Sequence, residues 1–412
     1  MTRDSHAPDV ASVRAARERI ADVVVRTPVI PALAMTERLG LPLHIKLESA
    51  QRTGSFKDRG ALNRMLALTP QERTRGVVTA SAGNHAQAVA YHGRRLGVPV
   101  HVVMPEHTPL IKVMNTRRYG GEVLFCGATL SDAMVEARRL ESENGYTFVH
   151  AFDDDRVIAG QGTVGLELLE QLPELSAVVV PIGGGGLISG IAIALKEQRP
   201  GIRIFGVEAK AAPSAMASRA AGRVVHIESS ETIADGIAVK RVGDRTFPVI
   251  ERYVDDIVAV SEEQIAQAVH MLLEHEKVLA EGAGAVPLAA LLHGLLPLDG
   301  RDVTAMILSG GNIDVNLLER IVDRGLVTDG RMARLTVTVP DRPGNLARLT
   351  NLVADAGANV LEVAHRRAFA DISVRDVEIT LQLETRGREH VAAIVKALED
   401  QGFHVREHAT GD

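Results

Sequence analysis

The sequence predicts an α/β protein in two parts. A large unit of mostly parallel sheet with helices on both faces is followed by a small βαββαβ unit. Three observations predict this. From Gly76 onward short apolar strands alternate with amphipathic helices, as in parallel sheets covered on both sides. The pattern breaks at the polar stretch Thr328-Asp329-Gly330-Arg331. Beyond it the strand and helix signals follow the order of a ferredoxin-like unit, over roughly 75 residues.

Taken in order, a short leader helix is expected over Ala11 to Val25, then extended segments at Thr27 to Ile30 and Leu43 to Glu48. A helix is expected from Lys57 to Leu68. Strands follow at Val77 to Thr79, Val100 to Met104, Glu122 to Phe125, Thr147 to His150, Ala177 to Pro181 and Arg203 to Val207. Helices fall between them, such as Ala86 to Leu96 and Ser131 to Glu143. A long helix, Ser261 to Leu279, precedes the buried strand Val303 to Leu308 and the helix Val315 to Arg324. The last part reads strand Leu335 to Val339, helix Gly344 to Ala356, strands Asn359 to Ala364 and Val377 to Leu383, helix Glu389 to Glu399 and strand Phe403 to Arg406. The expected domains are residues 1–327 and 333–412, with a linker at 328–332.

Composition narrows the function. A chain of 412 residues with 46% hydrophobic content has ample core for two or three domains. A net charge of −6 argues against nucleic acid as the main partner, because neutralising phosphate needs a basic surface. The single cysteine, Cys126, excludes an internal disulfide and any cysteine-rich metal site. The polar stretch Met1 to Val10 has no apolar leader segment, and no apolar run reaches membrane-spanning length. A cytoplasmic protein without membrane attachment is expected.

Ligands of parallel sheets bind at the carboxyl ends of strands, so the turns there carry the search. The strongest motif is Gly183-Gly184-Gly185-Gly186-Leu187, between a strand and a helix. Four glycines let several backbone N–H groups converge on one anion, and the helix adds its positive end. One glycine would suffice for a tight turn. A dinucleotide fingerprint fits poorly: Glu208 could serve as its acid, but its third glycine falls on Ile188 or Ser189. No Lys-Ser or Lys-Thr pair follows, which rules out a P-loop. A monophosphate is left, and pyridoxal phosphate is the monophosphate cofactor that requires a lysine.

Lys57 supplies a candidate. It stands between the flexible turn Thr53-Gly54-Ser55 and a helix, with Phe56 as an apolar neighbour. Partial desolvation there would lower its pKa and free the lone pair for Schiff-base chemistry. Alone, it reads far more readily as an exposed first-turn lysine. Ser81-Ala82-Gly83-Asn84-His85 opens another helix, and could grip a carboxylate or a ring hydroxyl, or simply cap. Ser309-Gly310-Gly311-Asn312 ends a strand, where the serine could meet a heteroaromatic nitrogen. Glu208 and Glu281 are weak candidates for a cation. The 15 histidines show no metal-binding spacing. In the last part, Asp341-Arg342-Pro343-Gly344-Asn345 joins a strand to a helix. Its free N–H groups could receive an amino acid's carboxylate, or it is a rigid turn.

Four motifs in this order resemble those of the fold-type II pyridoxal phosphate-dependent enzymes, and in particular the threonine dehydratase (threonine ammonia-lyase) family, over roughly residues 10 to 325. Residues 341–346 resemble the ACT domain, a regulatory module that commonly binds amino acids. The resemblance implies two open sheets, pyridoxal phosphate as cofactor, an amino-acid substrate, an effector at the ACT domain, and a homodimer or homotetramer. It implies that Lys57 carries the cofactor and serves as base, and that Asn84 bonds the ring hydroxyl. Gly183, Gly184, Gly185, Gly186 and Leu187 hold the phosphate, and Ser309 meets the ring nitrogen. Ser81, Asn84 and His85 face the substrate carboxylate, and Asp341, Gly344 and Asn345 belong to the regulatory site. Where the family often has proline, this chain has Ala151.

The activity implied is α,β-elimination converting L-threonine to 2-oxobutyrate and ammonia, in isoleucine biosynthesis. A serine at the ring nitrogen does not enforce a protonated ring as a carboxylate would. Negative charge at Cα is then short-lived, which favours expulsion of the β-hydroxyl. Serine racemases of the same superfamily carry a second serine where this chain has Ala82, which has no proton to give. A serine dehydratase or racemase is the nearest alternative. A non-catalytic amino-acid sensor and an NAD-dependent enzyme are more distant ones.

Overall fold

The computed structural model describes residues 8–366 and 373–408, so most of the polar N-terminal stretch lies outside the described residues. Contacts divide the chain into two compact units, Met1–Ile313 and Asp314–Asp412.

Among the described residues the first unit holds ten strands: β1 Val29–Pro31, β2 Leu43–Leu47, β3 Val77–Ala80, β4 Val100–Met104, β5 Glu122–Phe125, β6 Thr147–Phe148, β7 Ala177–Pro181, β8 Arg203–Ala209, β9 Asp256–Val260 and β10 Thr304–Leu308. They form two open sheets. The smaller has the order β5-β4-β3-β6 and is parallel throughout. The larger has the order β1-β2-β10-β7-β8-β9, with β1 alone antiparallel. Every residue of β3, β7 and β10 is buried, because helices cover both faces of each sheet. Val178, Val180, Ile204 and Ile307 fill the core of the larger sheet, and Val77, Val100, Val102 and Met104 that of the smaller.

Strand order positions the site. β2, β10 and β7 are parallel neighbours, so the segments leaving their carboxyl ends emerge side by side. Those segments carry Lys57, Ser309 and Gly183. Ser81 follows β3 of the smaller sheet in the same way.

Several expected boundaries move. The leader helix is Val10–Ile20, shorter than Ala11 to Val25. The lysine helix is Lys57–Leu66. The expected helix Ser261 to Leu279 is Glu262–Glu274, started by a capping box between Ser261 and Gln264. It ends early because Lys277 turns into the left-handed region at φ 59°. Thr147 to His150 pairs only as far as Phe148. Helix Asp155–Gln171 fills a gap between two expected strands for which no bounds were read, whereas helix Gly282–Leu292 and strand β9 had no counterpart in the sequence reading. Gly282–Leu292 holds three residues of low helix propensity, two glycines and Pro287, and it is helical because all but its last residue is buried.

The second unit contains helix Val315–Thr328, β11 Met332–Pro340, helix Asn345–Asp355, β12 Asn359–Arg366, β13 Asp376–Glu384, helix Arg388–Asp400 and β14 His404–Glu407. Its sheet is antiparallel, in the order β12-β13-β11-β14. Alternate residues of β13 (Val377, Ile379, Leu381, Leu383) meet Leu349, Val353, Ile394 and Leu398 from the two later helices. Helix Val315–Thr328 groups with this unit, whereas the sequence boundary was drawn after it. Among the described residues no helix is long and apolar enough to cross a membrane.

Candidate active site

Two segments are stitched together at the centre of the larger sheet. Phe56 N–H donates to the carbonyl of Ser309 (3.0 Å), Gly311 N–H donates to that of Gly54 (3.0 Å), and Ser55 pairs with Gly310 as an isolated bridge. This brings the start of helix Lys57–Leu66 beside the end of β10. Gly54 sits at φ 77°, and a β-carbon there would lie 2.5 Å from Asn312 Oδ1. Only glycine fits.

Lys57 Nζ donates to the carbonyl of Ala151 (2.8 Å) and lies 4.9 Å from the centroid of the Phe56 ring. Burial pushes the amine down to about 8, against the upward pull of Glu281. A far larger neutral fraction is therefore present near neutrality than for an exposed lysine. Both neighbours of Lys57 acquire roles. Phe56 packs against the core of the larger sheet. Asp58 accepts from Thr53 N–H (3.0 Å) and Thr53 Oγ1 (2.8 Å), pinning the turn before the lysine.

Below this helix lies a charge cluster that the sequence reading missed. Arg59 donates to Glu48 (2.7 and 2.8 Å) and to Glu167 (2.7 and 2.9 Å), and Lys46 Nζ donates to Glu167 (2.6 Å). All four side chains are buried. Burial pushes the Glu48 carboxyl upward, but Arg59 and Lys46 outweigh it and hold the group below the usual range. Lys46 and Glu48, charged positions at the end of an apolar strand, were the available signal.

The glycine loop leads into helix Gly186–Lys196. A β-carbon on Gly184 would meet the Phe152 ring at 2.3 Å, and one on Gly186 would meet Phe152 Cα at 3.0 Å. One on Gly185 (φ 91°) would lie 2.7 Å from Thr246 Oγ1, and one on Gly183 would lie 3.0 Å from Ile237 Cα. Gly184 and Gly185 are thus closed to a side chain and Gly183 and Gly186 are tight for one, and Thr246 Oγ1 fixes the loop by donating to the Gly184 carbonyl (2.7 Å). Leu187 turns its side chain into the core, so it offers the loop its backbone alone.

From the smaller sheet, Ser81 Oγ accepts from Gly83 N–H (3.3 Å) and Asn84 begins helix Asn84–Leu96. The Asn84 Nδ2 donates to Glu281 Oε1 (2.7 Å), and its Oδ1 accepts from Asn312 Nδ2 (2.8 Å). Asn84 and Ser309 therefore share one cluster through the segment 309–312. The His85 ring is buried, with Nε2 3.0 Å from the Val149 carbonyl and no partner at Nδ1. Burial, then the charge of Lys57, pushes it down to about 3. His85 is a neutral ring, and what it offers a carboxylate is the backbone N–H at the head of the helix.

Residues 20–310 match the pyridoxal-phosphate dependent enzyme family, and residues 333–402 match the ACT domain. The chain belongs to the pyridoxal phosphate-dependent enzymes. The enzyme is 46% identical over 394 residues to an L-threonine ammonia-lyase of Thermotoga maritima, covering 96% of this chain and 98% of that one. It is 48% identical to an L-threonine ammonia-lyase of Geobacter sulfurreducens, again over 394 residues (95% and 98%). Among solved structures, maize serine racemase superposes with a TM-score of 0.74 at 40% identity, covering 78% of this chain and 98% of that one.

The residues fit the cofactor. A half-buried amine of lowered pKa, a closely packed glycine loop at a helix start, and a buried hydroxyl at Ser309 (2% exposed) match its aldehyde, phosphate and ring nitrogen in kind.

The two expected cation candidates are both engaged. Glu208 accepts from Ala215 N–H (2.8 Å) and Met216 N–H (2.9 Å), capping helix Ser214–Ala221, while burial pushes it up to about 7. Glu281 holds Asn84 and is likewise raised to about 7 by burial. In the second unit Asp341, Gly344 and Asn345 line a cavity of about 240 Å³ with Pro340, Leu346 and His365. Gly344 sits at φ 95° before helix Asn345–Asp355, and Asn345 Nδ2 donates to the Pro340 carbonyl (2.8 Å).

Proposed function

We propose that this enzyme is an L-threonine ammonia-lyase, releasing 2-oxobutyrate and ammonia. The observation that carries the reading is Lys57, an amine lowered to about 8 on the segment bonded to Ser309, in a chain whose full-length relatives bear that activity in their names. Lys57 would hold the cofactor, the loop Gly183–Gly186 with Leu187 its phosphate, Asn84 its ring hydroxyl and Ser309 its ring nitrogen. When bound, pyridoxal phosphate supplies the electron sink for negative charge at the substrate's Cα.

Ser81 and the N–H groups of Asn84 and His85 orient the substrate carboxylate. Lys57 would serve as the base that takes the Cα proton. The β-hydroxyl leaves as water, and hydrolysis of the resulting enamine consumes a water and frees ammonia. Ser309 presents a hydroxyl rather than a carboxylate, which favours elimination over reprotonation. Ala82 offers no proton on the opposite face, which disfavours racemisation.

Serine dehydratase or racemase activity is the second reading, favoured by the likeness to maize serine racemase. Assaying 2-oxo acid and ammonia release from L-threonine and L-serine, with chiral analysis of the residual serine, separates them. L-Threonine is expected to be the faster substrate, without D-serine. Dominant D-serine formation would overturn the proposal.

The catalytic part, residues 1–327, is proposed to act in isoleucine biosynthesis under control of the ACT part, 333–412. An amino acid would bind through Asp341, Gly344 and Asn345. A cytoplasmic homodimer or homotetramer is the expected form. Deleting residues 331–412 should leave ammonia release intact and abolish the response to branched-chain amino acids. A response surviving deletion would place the effector elsewhere.

A further inference from the structure

Asn84 is held at both ends. Its Nδ2 faces the Glu281 carboxylate, which accepts, and its Oδ1 faces Asn312 Nδ2, which donates. Asn312 is itself fixed, because the same Nδ2 donates to the Thr53 carbonyl at 2.7 Å. A side-chain amide has two ends of similar shape and opposite polarity, so packing alone sets no preference between its two orientations. Flipped, Asn84 would put its carbonyl oxygen against Glu281 and its NH2 against the NH2 of Asn312. Both contacts would be repulsive. The two neighbours therefore select one orientation, in which one Nδ2–H remains to be donated elsewhere.

Two glycines make room for this clamp. A β-carbon on Gly310 would fall 2.4 Å from Glu281 Oε1, and the one on Gly54 would fall 2.5 Å from Asn312 Oδ1. Glu281 heads helix Gly282–Leu292, and its own N–H donates to the Gly310 carbonyl (3.1 Å). Both glycines of the motifs that flank Lys57 and Ser309 thus clear space for the groups that grip Asn84. No hydrogen bond between the Glu281 side chain and its own helix end accounts for the residue's burial at 6% exposed.

We propose that Glu281 is a positioning residue that, with Asn312, locks the Asn84 amide with its nitrogen available as donor to the cofactor's ring hydroxyl oxygen. The inference rests on the assignment of Asn84 to that oxygen. A locked donor stabilises the deprotonated oxygen and so sets both cofactor affinity and the position of the visible absorbance band. A flipped amide would present a carbonyl to an anion.

The test is a double-substitution cycle on the full-length protein, stripped of cofactor and titrated with pyridoxal phosphate, reading affinity and the absorbance band. Glu281→Ala should weaken binding by about tenfold and shift the band, the scale of one oriented hydrogen bond. In an Asn84→Ala background the same change should have less than about a twofold effect, because the group it positions is gone. Glu281→Gln, which keeps an acceptor, should recover most of the loss. Equal losses in both backgrounds would overturn the proposal. An Asn84→Ala variant with unchanged affinity and band would instead overturn the assignment of Asn84 itself. Should Glu281→Ala not fold, Asn312→Asp decides the matter in the same cycle. Its carboxylate would repel Asn84 Oδ1 and drive the flip, so a loss confined to the Asn84 background supports the clamp and a loss in both backgrounds refutes it.

Discussion

Replacing Arg59 with methionine removes one of two cations from the buried cluster beneath the lysine helix. As built, Arg59 and Lys46 balance Glu48 and Glu167, and the guanidinium makes four carboxylate contacts between 2.7 and 2.9 Å. Without it, two buried carboxylates face one ammonium. Breaking a buried pair from one side costs about 3–5 kcal/mol, because the partner charge stays behind uncompensated. For a unit of this size that lowers the melting midpoint by about 5–8 °C. The assay is thermal unfolding followed by circular dichroism, with and without pyridoxal phosphate. Adding Glu48→Gln should recover part of the loss by restoring neutrality. Glu48 is held below the usual carboxylate range, so its pairing contributes stability above its unfolded pKa. That contribution is lost as pH falls through the lower folded value. The gap between the native protein and Arg59→Met should therefore be widest near neutral pH and narrow in acid. A midpoint drop of less than about 2 °C, on the same conversion, or a double variant worse than the sum of the singles, would refute this account.

Lys57→Ala should abolish ammonia release while leaving the far-ultraviolet circular dichroism unchanged; turnover resembling that of the native protein would remove Lys57 from the chemistry. Gly184→Ala places a methyl group 2.3 Å from the Phe152 ring, so cofactor affinity should fall by about tenfold or more. Phe152→Ala should restore part of it, and unchanged affinity would show that the loop has room to spare. His85, pushed down to about 3, is a base with a lowered folded pKa. As pH drops below its unfolded value the unfolded chain takes up a proton that the native state refuses, and stability falls. At pH 4.5 the loss is about 2–3 kcal/mol, and denaturant titrations of His85→Gln should show a correspondingly shallower decline between pH 7 and 4.5. Identical slopes would indicate that the His85 ring is hydrated.

The elements legible in the sequence were those with local causes. β4, β5 and β7 fell within the residues expected of them, because alternating or continuous apolar runs between turns specify strands without outside help. Helix ends were less legible. The helix expected to reach Leu279 stops at Glu274, and nothing local announces that Lys277 will take a left-handed turn. Helix Gly282–Leu292 runs against its own propensities, since glycine and proline favour helix only when burial supplies the stability.

The candidate site divides in the same way. Lys57, the four glycines, Asn84 and Ser309 could be named from the sequence, because each lies in a short motif whose chemistry is carried by adjacent residues. Their consequences could not. Asn84 meets Glu281 across 197 positions and Asn312 across 228, and Arg59 meets Glu167 across 108. Those partners are set by the order β1-β2-β10-β7-β8-β9, which places segments distant in sequence side by side. The lowered amine of Lys57 and the raised carboxyl of Glu281 depend on burial, which no motif specifies. Sequence alone thus determined the two-part α/β architecture and the candidate groups for the chemistry, since both follow from local backbone and side-chain preferences. Tertiary structure decided which charges are buried, which are paired and how Asn84 points, because desolvation and long-range pairing exist only once the sheets are assembled.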